Sequence, residues 1–333
     1  MGYLEYHKLP PNEQTTILEA VEAKTGLPKY AVEKDWWVVR VLDIVFKTEV
    51  AGHTVFKGGT SLSKGWDLIH RFSEDIDLAL DRSFLGFEEE KPSRKQITKL
   101  RKASKAFILE VFTPQLISGF ENAELEGVVI NVRETSESDQ DPLIIEIYYP
   151  NVTEYSEYIQ PRVLLEIGIR SLIEPYTSKE IKSELAKEFE DRPFADEPIS
   201  IPTVNPERTF LEKLFLLHEE FQRPEEKMRV DRLSRHLYDI HQIAQTEFAE
   251  KALSDKMLYE GIVQHRSTFS RLGGVDYSSH FPPNLSPIPP EKVIDAWRND
   301  YTTMQQQMIY GESPSFKELI GSVNDLVSRI NAN

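Results

Sequence analysis

The sequence predicts an α+β fold in which a mixed sheet flanked by helices precedes a mostly helical C-terminal domain. Between residues 53 and 170, short apolar runs rich in branched side chains have the length of strands and are separated by polar turns. From about residue 205 onward, apolar side chains recur at helical spacing instead. The chain has 333 residues, which is long for one compact domain and sufficient for two.

Two helices are predicted before the sheet, over residues 11–26 and 28–47, and Gly26 has the position of a C-cap at the end of the first. A further helical stretch is predicted at residues 93–111, and a hairpin loop at residues 133–142. The predicted strands cover residues 53–56, 75–80, 127–132, 142–149 and 162–169.

The C-terminal part of the chain is predicted to be helical. Prolines punctuate residues 191–206 and mark a boundary, so the predicted domains are residues 1–195 and 196–333. The predicted C-terminal helices cover residues 205–221, 226–246, 249–266, 290–309 and 314–331.

Composition excludes several classes of protein. With 39 basic and 55 acidic residues the net charge is −16, so nucleic acid could bind only through a local basic patch. Cysteine is absent, which excludes disulfides, thiol catalysis and cysteine-ligated metals. No apolar run approaches the roughly 18 residues of a membrane span, and the N-terminal sequence lacks the pattern of a signal peptide. We therefore expect a soluble, cytoplasmic protein.

The segment FKGGTSLSKGWDLIHRFSEDIDLAL, residues 56–80, carries the most informative pattern. A strand enters a glycine-containing turn, a helix is predicted over residues 62–70, and a second strand follows. Two adjacent glycines let backbone N–H groups approach phosphate oxygens closely, while hydroxyls and a helix start add further donors. The predicted phosphate-binding turn consists of Lys57, Gly58, Gly59, Thr60 and Ser61.

Asp75 and Asp77 are separated by one residue, which places both carboxylates on the same face of a strand. Two neighbouring carboxylates repel each other unless a divalent cation lies between them, and magnesium prefers oxygen ligands that it shares with substrate phosphates. Glycine turns and Asp-x-Asp pairs are each common in other contexts. Their order here, about 15 residues apart on a strand–turn–helix–strand pattern, indicates phosphoryl or nucleotidyl transfer.

The motifs KGGTSL and RFSEDIDL resemble those of the AbiEii/AbiGii-type, MenT-like nucleotidyltransferase toxins within the polymerase-beta-like superfamily. The close resemblance covers residues 56–80, and weaker matches occur at residues 33–35, 212–214 and 237–240. It implies a polymerase-beta-like nucleotidyltransferase core that uses a nucleoside triphosphate with Mg²⁺ or Mn²⁺. It also implies a toxin of a toxin–antitoxin or phage-defence system.

The resemblance implies roles for individual residues. The glycine turn would bind the nucleotide, Ser73 belongs to the signature, and Asp75 and Asp77 would bind metal ions. Lys213 matches the lysine expected to contact phosphates, and Asp239 matches a later acidic residue that is a candidate base or network residue. Outside the family context, a helical lysine usually extends to water and a helical aspartate forms ordinary ion pairs.

Superfamily members usually add a third carboxylate on a neighbouring strand. Glu166 in RVLLEIGIR and Glu146 in PLIIEIYYP both stand in apolar runs, where an unpaired charge is costly. We prefer Glu166, because the third carboxylate normally lies on a strand paired with the Asp-x-Asp strand and Arg170 is nearby. Glu146 remains the alternative.

Residues 91–105, KPSRKQITKLRKASK, carry seven basic side chains and no acidic one. Lys91, Lys95, Lys99 and Lys102 recur at helical spacing, which is compatible with a solvated helix face or with an RNA-backbone contact. The residues predicted to contact RNA are Lys91, Arg94, Lys95, Lys99, Arg101 and Lys102.

By resemblance, the acceptor is the 3′ end of a tRNA and a cognate antitoxin protein is a partner. Two alternatives stay open. One is transfer of a nucleotide or phosphate to a protein side chain, for example on the antitoxin. The other is a nucleotide-binding interaction module without catalysis.

Overall fold

The computed structural model describes residues 6–89, 91–134, 141–155 and 159–332. The chain forms two compact units, one within Met1–Trp66 and Phe72–Val204, the other comprising Asp67–Arg71 and Asn205–Asn333. The chain thus enters the second unit briefly before it returns to the first. The predicted boundary after residue 195 precedes the last strand of the first unit.

A seven-stranded mixed sheet forms the centre of the first unit in the described part of the chain. Its strands are β1 (Thr54–Lys57), β2 (Asp75–Leu80), β3 (Val129–Val132), β4 (Leu143–Tyr148), β5 (Arg162–Gly168), β6 (Tyr176–Ile181) and β7 (Ile199–Val204). The strand order is β3-β4-β5-β2-β1-β7-β6, in which β2–β5 and β1–β7 are parallel and the other pairs are antiparallel.

The predicted α+β class is confirmed, and the five predicted strands are present with small shifts at their ends. Strands β6 and β7 were not predicted. The residues of β6 are mostly polar and exposed, and β7 contains Pro202, although proline is usually excluded from the interior of a strand. The predicted hairpin at residues 133–142 joins β3 to β4, but its residues 135–140 lie outside the described residues.

Helices flank this sheet. Gly26 ends the first of them with a left-handed φ of 75°, as the sequence predicted. The predicted helix at residues 93–111 is shorter and passes through a π-helical turn, Ile108–Phe112, into a further helix. The helices are α1 (Pro11–Thr25), α2 (Lys29–Val45), α3 (Gly58–Lys64), α4 (Arg94–Phe107), α5 (Thr113–Asn122) and α6 (Glu184–Glu188).

Helix α2 is buried from Ala31 to Val45, including its charged side chains. Burial of a charge is costly unless a partner compensates it. Lys34 Nζ lies 2.6 Å from Glu74 Oε2, and Asp35 Oδ1 lies 2.5 Å from Lys64 Nζ. These pairs connect α2 with the residue preceding β2 and with α3, so the charged positions of α2 specify how the elements around the glycine turn pack.

The second unit is helical. Its helices are α7 (Pro206–Phe221), α8 (Ser234–Ala244), α9 (Glu247–Ser254), α10 (Lys256–Phe269), α11 (Ile294–Gln307) and α12 (Phe316–Asn331). None of the helices in the described ranges has the length and apolar character needed to cross a membrane.

Two predicted helix boundaries in this unit were wrong. The helix predicted from residue 226 begins only at Ser234, because the Asp300 carboxylate accepts the N–H groups of Arg232 and Ser234 at 2.7 and 2.9 Å and holds a turn. The helix predicted at residues 249–266 is two helices, α9 and α10, and Asp255 caps the second by accepting the N–H of Leu258 at 3.0 Å.

Close packing of α5 on α2 requires a glycine, which gives a first prediction. A Cβ at Gly119 would lie 2.4 Å from Ile44 Cγ2. We therefore expect Gly119→Ala to lower the free energy of unfolding by roughly 1–3 kcal/mol in urea titrations. The matched control is Gly321→Ala in α12, where a Cβ meets nothing within 4 Å, and it should raise stability by roughly 0.5–1 kcal/mol. Equal stability of the Gly119 variant and the wild type would contradict this packing.

Candidate active site

The glycine turn is the first turn of a helix. Strand β1 ends at Lys57 and α3 begins at Gly58, four residues before the start predicted from the sequence. Gly58 has a φ of +82°, and a Cβ there would lie 2.0 Å from Asp77 Oδ2. Only glycine fits this position, both because of its backbone conformation and because of the adjacent carboxylate.

Three acidic residues lie on one face of two neighbouring strands. Asp75 and Asp77 alternate along β2 with Ile76, which is fully buried on the other face. Asp77 pairs with Lys57 of β1 on one side and with Glu166 of β5 on the other. Residues paired across a sheet project to the same face, so Glu166 lies beside the Asp-x-Asp pair.

Glu146 has a different environment from Glu166. It lies on β4, one strand further from β2, and pairs with Leu164. Its carboxylate accepts hydrogen bonds from Arg133 Nη2 at 2.6 Å and Arg162 Nη1 at 3.0 Å. The hydrogen bond from Arg133 holds the pKa of Glu146 below its usual range. Two arginines thus bind Glu146, and it is Glu166 that lies on the strand paired with β2.

The hydroxyls of the turn are directed into the protein. The buried Thr60 hydroxyl donates to the main-chain oxygen of Asp75 and lies 2.9 Å from Ser73 Oγ. The buried Ser61 hydroxyl donates to the Gly58 carbonyl at 2.9 Å. The Thr60 contacts tie the start of α3 to the start of β2, whereas the Ser61 bond lies within the first turn of α3. The hydroxyls of Thr60, Ser61 and Ser73 thus have partners within the protein.

The carboxylates of β2 and β5 fit a magnesium ion by the chemistry of their oxygen donors. Within the described residues, no three acidic or histidine side chains are already gathered into a metal site. Magnesium is commonly held by one or two protein carboxylates together with substrate phosphates and water. Asp75, Asp77 and Glu166 carry carboxylate oxygens of this kind.

Lys213 and Asp239 lie together in the second unit, inside a buried cluster. Lys213 Nζ lies 2.9 Å from Asp239 Oδ2 and 3.4 Å from His236 Nδ1. Arg71 binds the same carboxylate with both ends of its guanidinium, Nε to Oδ1 at 2.8 Å and Nη2 to Oδ2 at 2.7 Å. Asp239 therefore has two cations as partners.

The charges of this cluster decide between the two roles considered for Asp239. Burial raises the pKa of Asp239, but Arg71 and Lys213 outweigh burial and hold the pKa below the usual range of an aspartate. Burial, together with Arg71, lowers the pKa of Lys213 even though Asp239 opposes this. A fully buried carboxylate that holds two cations is a poor proton acceptor, so the arrangement favours a network role.

Two residues that contact predicted site residues or their neighbours had no role assigned from the sequence. Arg71 contacts Asp239, and Glu74 contacts Lys34, although both stand within the motif RFSEDIDL. The sequence could have pointed to these two residues, because each is a charged side chain within the motif. Their partners could not be inferred, because Arg71 and Asp239 are 168 residues apart in the chain.

The basic segment is mostly helical and exposed. Lys91 lies outside the helix, because Ser93 forms a capping box with Gln96 and α4 begins at Arg94. The predicted helical stripe is therefore wrong at Lys91. Arg101 is half-buried. The exposed basic residues of the helix are Arg94, Lys95, Lys99 and Lys102.

Comparison with known proteins gives the family. The family model for the nucleotidyl transferase AbiEii toxin of a type IV toxin–antitoxin system matches residues 40–322. The chain belongs to this AbiEii family. It is therefore a nucleotidyltransferase toxin of a type IV toxin–antitoxin system, and the resemblance inferred from KGGTSL and RFSEDIDL is confirmed.

Other comparisons add little to the AbiEii match. Among solved structures, MenT4, a nucleotidyltransferase toxin from Mycobacterium tuberculosis, is similar at 15% identity and a TM-score of 0.47. The similarity covers 95% of this chain and 98% of that chain. A search of curated proteins finds no significant match.

The contact between Gly58 and Asp77 gives a second prediction. Gly58→Ala should lower the free energy of unfolding by roughly 1–3 kcal/mol and abolish nucleotide binding, because the new methyl group displaces the Asp77 carboxylate. Unfolding in urea and titration with labelled triphosphates measure the two effects. Gly52→Ala is the matched control, since a Cβ there meets nothing within 4 Å. Tight nucleotide binding by the Gly58 variant would contradict the proposed constraint.

Proposed function

We propose that this toxin is a magnesium-dependent enzyme that transfers nucleotides from a nucleoside triphosphate to an RNA acceptor, the 3′ end of a tRNA. The observation that carries the magnesium assignment is the register of Glu166 with Asp77 on parallel strands, beside a turn that only glycine can form. Oxygen donors grouped on one face match the ligands that magnesium prefers.

The reaction needs little covalent chemistry from the protein. An acceptor hydroxyl attacks the α-phosphorus, the bond from that phosphorus to the pyrophosphate oxygen breaks, and pyrophosphate and the hydroxyl proton are released. Asp75, Asp77 and Glu166 would hold magnesium, which when bound neutralises negative charge on the phosphates. The backbone of the glycine turn would position the triphosphate, and Lys213 would contact a phosphate group.

The RNA acceptor rests on family membership and on helix α4. Its exposed side chains Arg94, Lys95, Lys99 and Lys102 form a local positive patch in a chain of net charge −16. A local patch of this kind can bind a phosphate backbone despite the acidic total. A cognate antitoxin is the protein partner that a type IV toxin–antitoxin system implies.

Loss of one carboxylate should abolish transfer without loss of the fold. We expect Asp75→Asn to reduce nucleotide transfer by at least about 100-fold, because the metal loses a ligand and the phosphate charge is no longer balanced. Asp325→Asn, at an exposed position of α12, is the matched control and should leave activity unchanged. EDTA should abolish wild-type transfer, and Mg²⁺ or Mn²⁺ should restore it. Full activity of the Asp75 variant would disprove the metal assignment.

The acceptor is identified by following the label. The protein is incubated with each α-labelled triphosphate together with total RNA and cell protein, and the products are separated. We expect label in RNA of tRNA size. Label found only in protein bands would instead establish a protein side chain as the acceptor.

The basic helix gives a further prediction. Replacing Lys95, Lys99 and Lys102 by Gln should weaken RNA binding and reduce the slope of log affinity against log salt by roughly two to three. The matched control replaces the exposed lysines Lys227, Lys251 and Lys256, which removes the same charge elsewhere. If both triple variants bind RNA equally well across salt concentrations, helix α4 is not the contact.

A further inference from the structure

One buried ammonium group contacts the chain just ahead of two neighbouring strands. Lys34 of α2 is 2% exposed, and its Nζ donates to Glu74 Oε2 at 2.6 Å and to the main-chain oxygen of Gln160 at 3.0 Å. Glu74 directly precedes β2. The Gln160 oxygen also accepts the N–H of Arg162, the first residue of β5, at 2.8 Å. Lys34 therefore joins the starting ends of β2 and β5.

These two strands carry the acidic face, which consists of Asp75, Asp77 and Glu166. The strands are parallel, with Asp75 opposite Leu164 and Asp77 opposite Glu166. The hydrogen bonds of a parallel ladder repeat along both strands, and a slip by two residues returns every side chain to its own face. The ladder alone is therefore compatible with other partners for Asp77. A contact that occurs once, at the strand ends, selects one pairing.

Helix α2 is anchored on both sides of this lysine. The buried Glu33 carboxylate accepts the N–H of Val152 at 2.6 Å, and the buried Asp35 carboxylate lies 2.5 Å from Lys64 Nζ. Consecutive side chains of a helix point in directions about 100° apart, so these contacts reach different parts of the first unit. The Lys34 side chain thus extends from a helix whose position is fixed independently of it.

Resting on the proposed magnesium site on β2 and β5, we propose that Lys34 is a positioning residue. Its contacts with both strand ends set the spacing of Asp77 and Glu166, and so the affinity of the acidic face for a divalent cation. Lysine suits this role because one ammonium group has three donors and binds a carboxylate and a carbonyl oxygen together. Loss of a residue that orients metal ligands lowers metal affinity by roughly 10–100-fold in other proteins.

Neutral replacement of the ion pair separates geometry from stability. Lys34→Met with Glu74→Gln removes one charge of each sign, so the variant keeps its net charge and neither partner is left as an unpaired buried charge. The side chain at position 34 then no longer donates to the Gln160 oxygen. We expect this variant to fold, and its dissociation constant for Mn²⁺ to rise by roughly tenfold or more.

The matched control is a second buried ion pair of α2. Arg40 Nη2 lies 3.0 Å from Asp196 Oδ2, and Asp196 precedes β7, whereas the acidic face lies on β2 and β5. Arg40→Met with Asp196→Asn also removes one charge of each sign. This variant should keep the Mn²⁺ dissociation constant within about threefold of the wild-type value, because sites that share no contacts act independently.

Mn²⁺ binding is a readout that needs no turnover. The dissociation constant is measured from the electron paramagnetic resonance signal of free Mn²⁺, for the protein alone and with a non-hydrolysable triphosphate analogue, below the unfolding transition of each variant. The analogue without protein is the blank. Weaker binding in the Lys34/Glu74 variant alone supports the proposal, whereas unchanged binding there, or an equal loss in both variants, would overturn it. If the first neutral pair does not fold, Lys34→Met with Glu74→Leu gives the same test.

The Asp75→Asn variant distinguishes failure of the positioning role from failure of the proposed function. If Asp75→Asn loses Mn²⁺ binding while the Lys34/Glu74 variant binds as the wild type does, only the role of Lys34 is removed. Wild-type Mn²⁺ binding by Asp75→Asn would instead disprove the metal site, and the role of Lys34 with it.

Discussion

The close approach of Gly58 to Asp77 is the constraint on which the rest of the first unit depends. The position takes a φ of +82° and has no room for a Cβ, which would lie 2.0 Å from the carboxylate. Strand β1 can therefore turn into α3 directly beside the acidic strand. The same contact sets the predicted phosphate-binding turn next to the Asp77 carboxylate of the acidic strand.

Buried polar contacts hold this arrangement in place. The Thr60 hydroxyl donates to the main-chain oxygen of Asp75. The Lys34–Glu74 ion pair joins α2 to Glu74, the residue just before Asp75. Each of these interactions is favourable only while both partners are present, since an unpaired buried charge is costly. The first unit thus positions its acidic strand through buried contacts with α2 and α3.

Buried charge in the second unit centres on Asp239. Its carboxylate is shared by Arg71 and Lys213, as that of Glu146 in the first unit is shared by Arg133 and Arg162. The depressed pKa of Asp239 follows from these two cations. A buried carboxylate that holds two cations is a poor proton acceptor.

The nucleotidyltransferase class and the layout of the acidic strand could be predicted from the sequence because their signals are local. The spacing of Asp75 and Asp77 puts both on one strand face, and the adjacent glycines indicate a turn that approaches phosphates. These motifs also sufficed to identify the family. The polar strand β6 and the proline-containing β7 were missed, since their pairing, and not their composition, makes them strands.

Only the tertiary structure decided which distant residues meet. Pairing of β5 with β2 places Glu166 beside Asp77, while Glu146 is held by arginines one strand away. Arg71 and Asp239 come together across 168 residues. A sequence pattern determines the face on which a side chain lies within its own helix or strand, because that depends on the local backbone period. It does not determine the partner across the fold, because that depends on how whole elements pack.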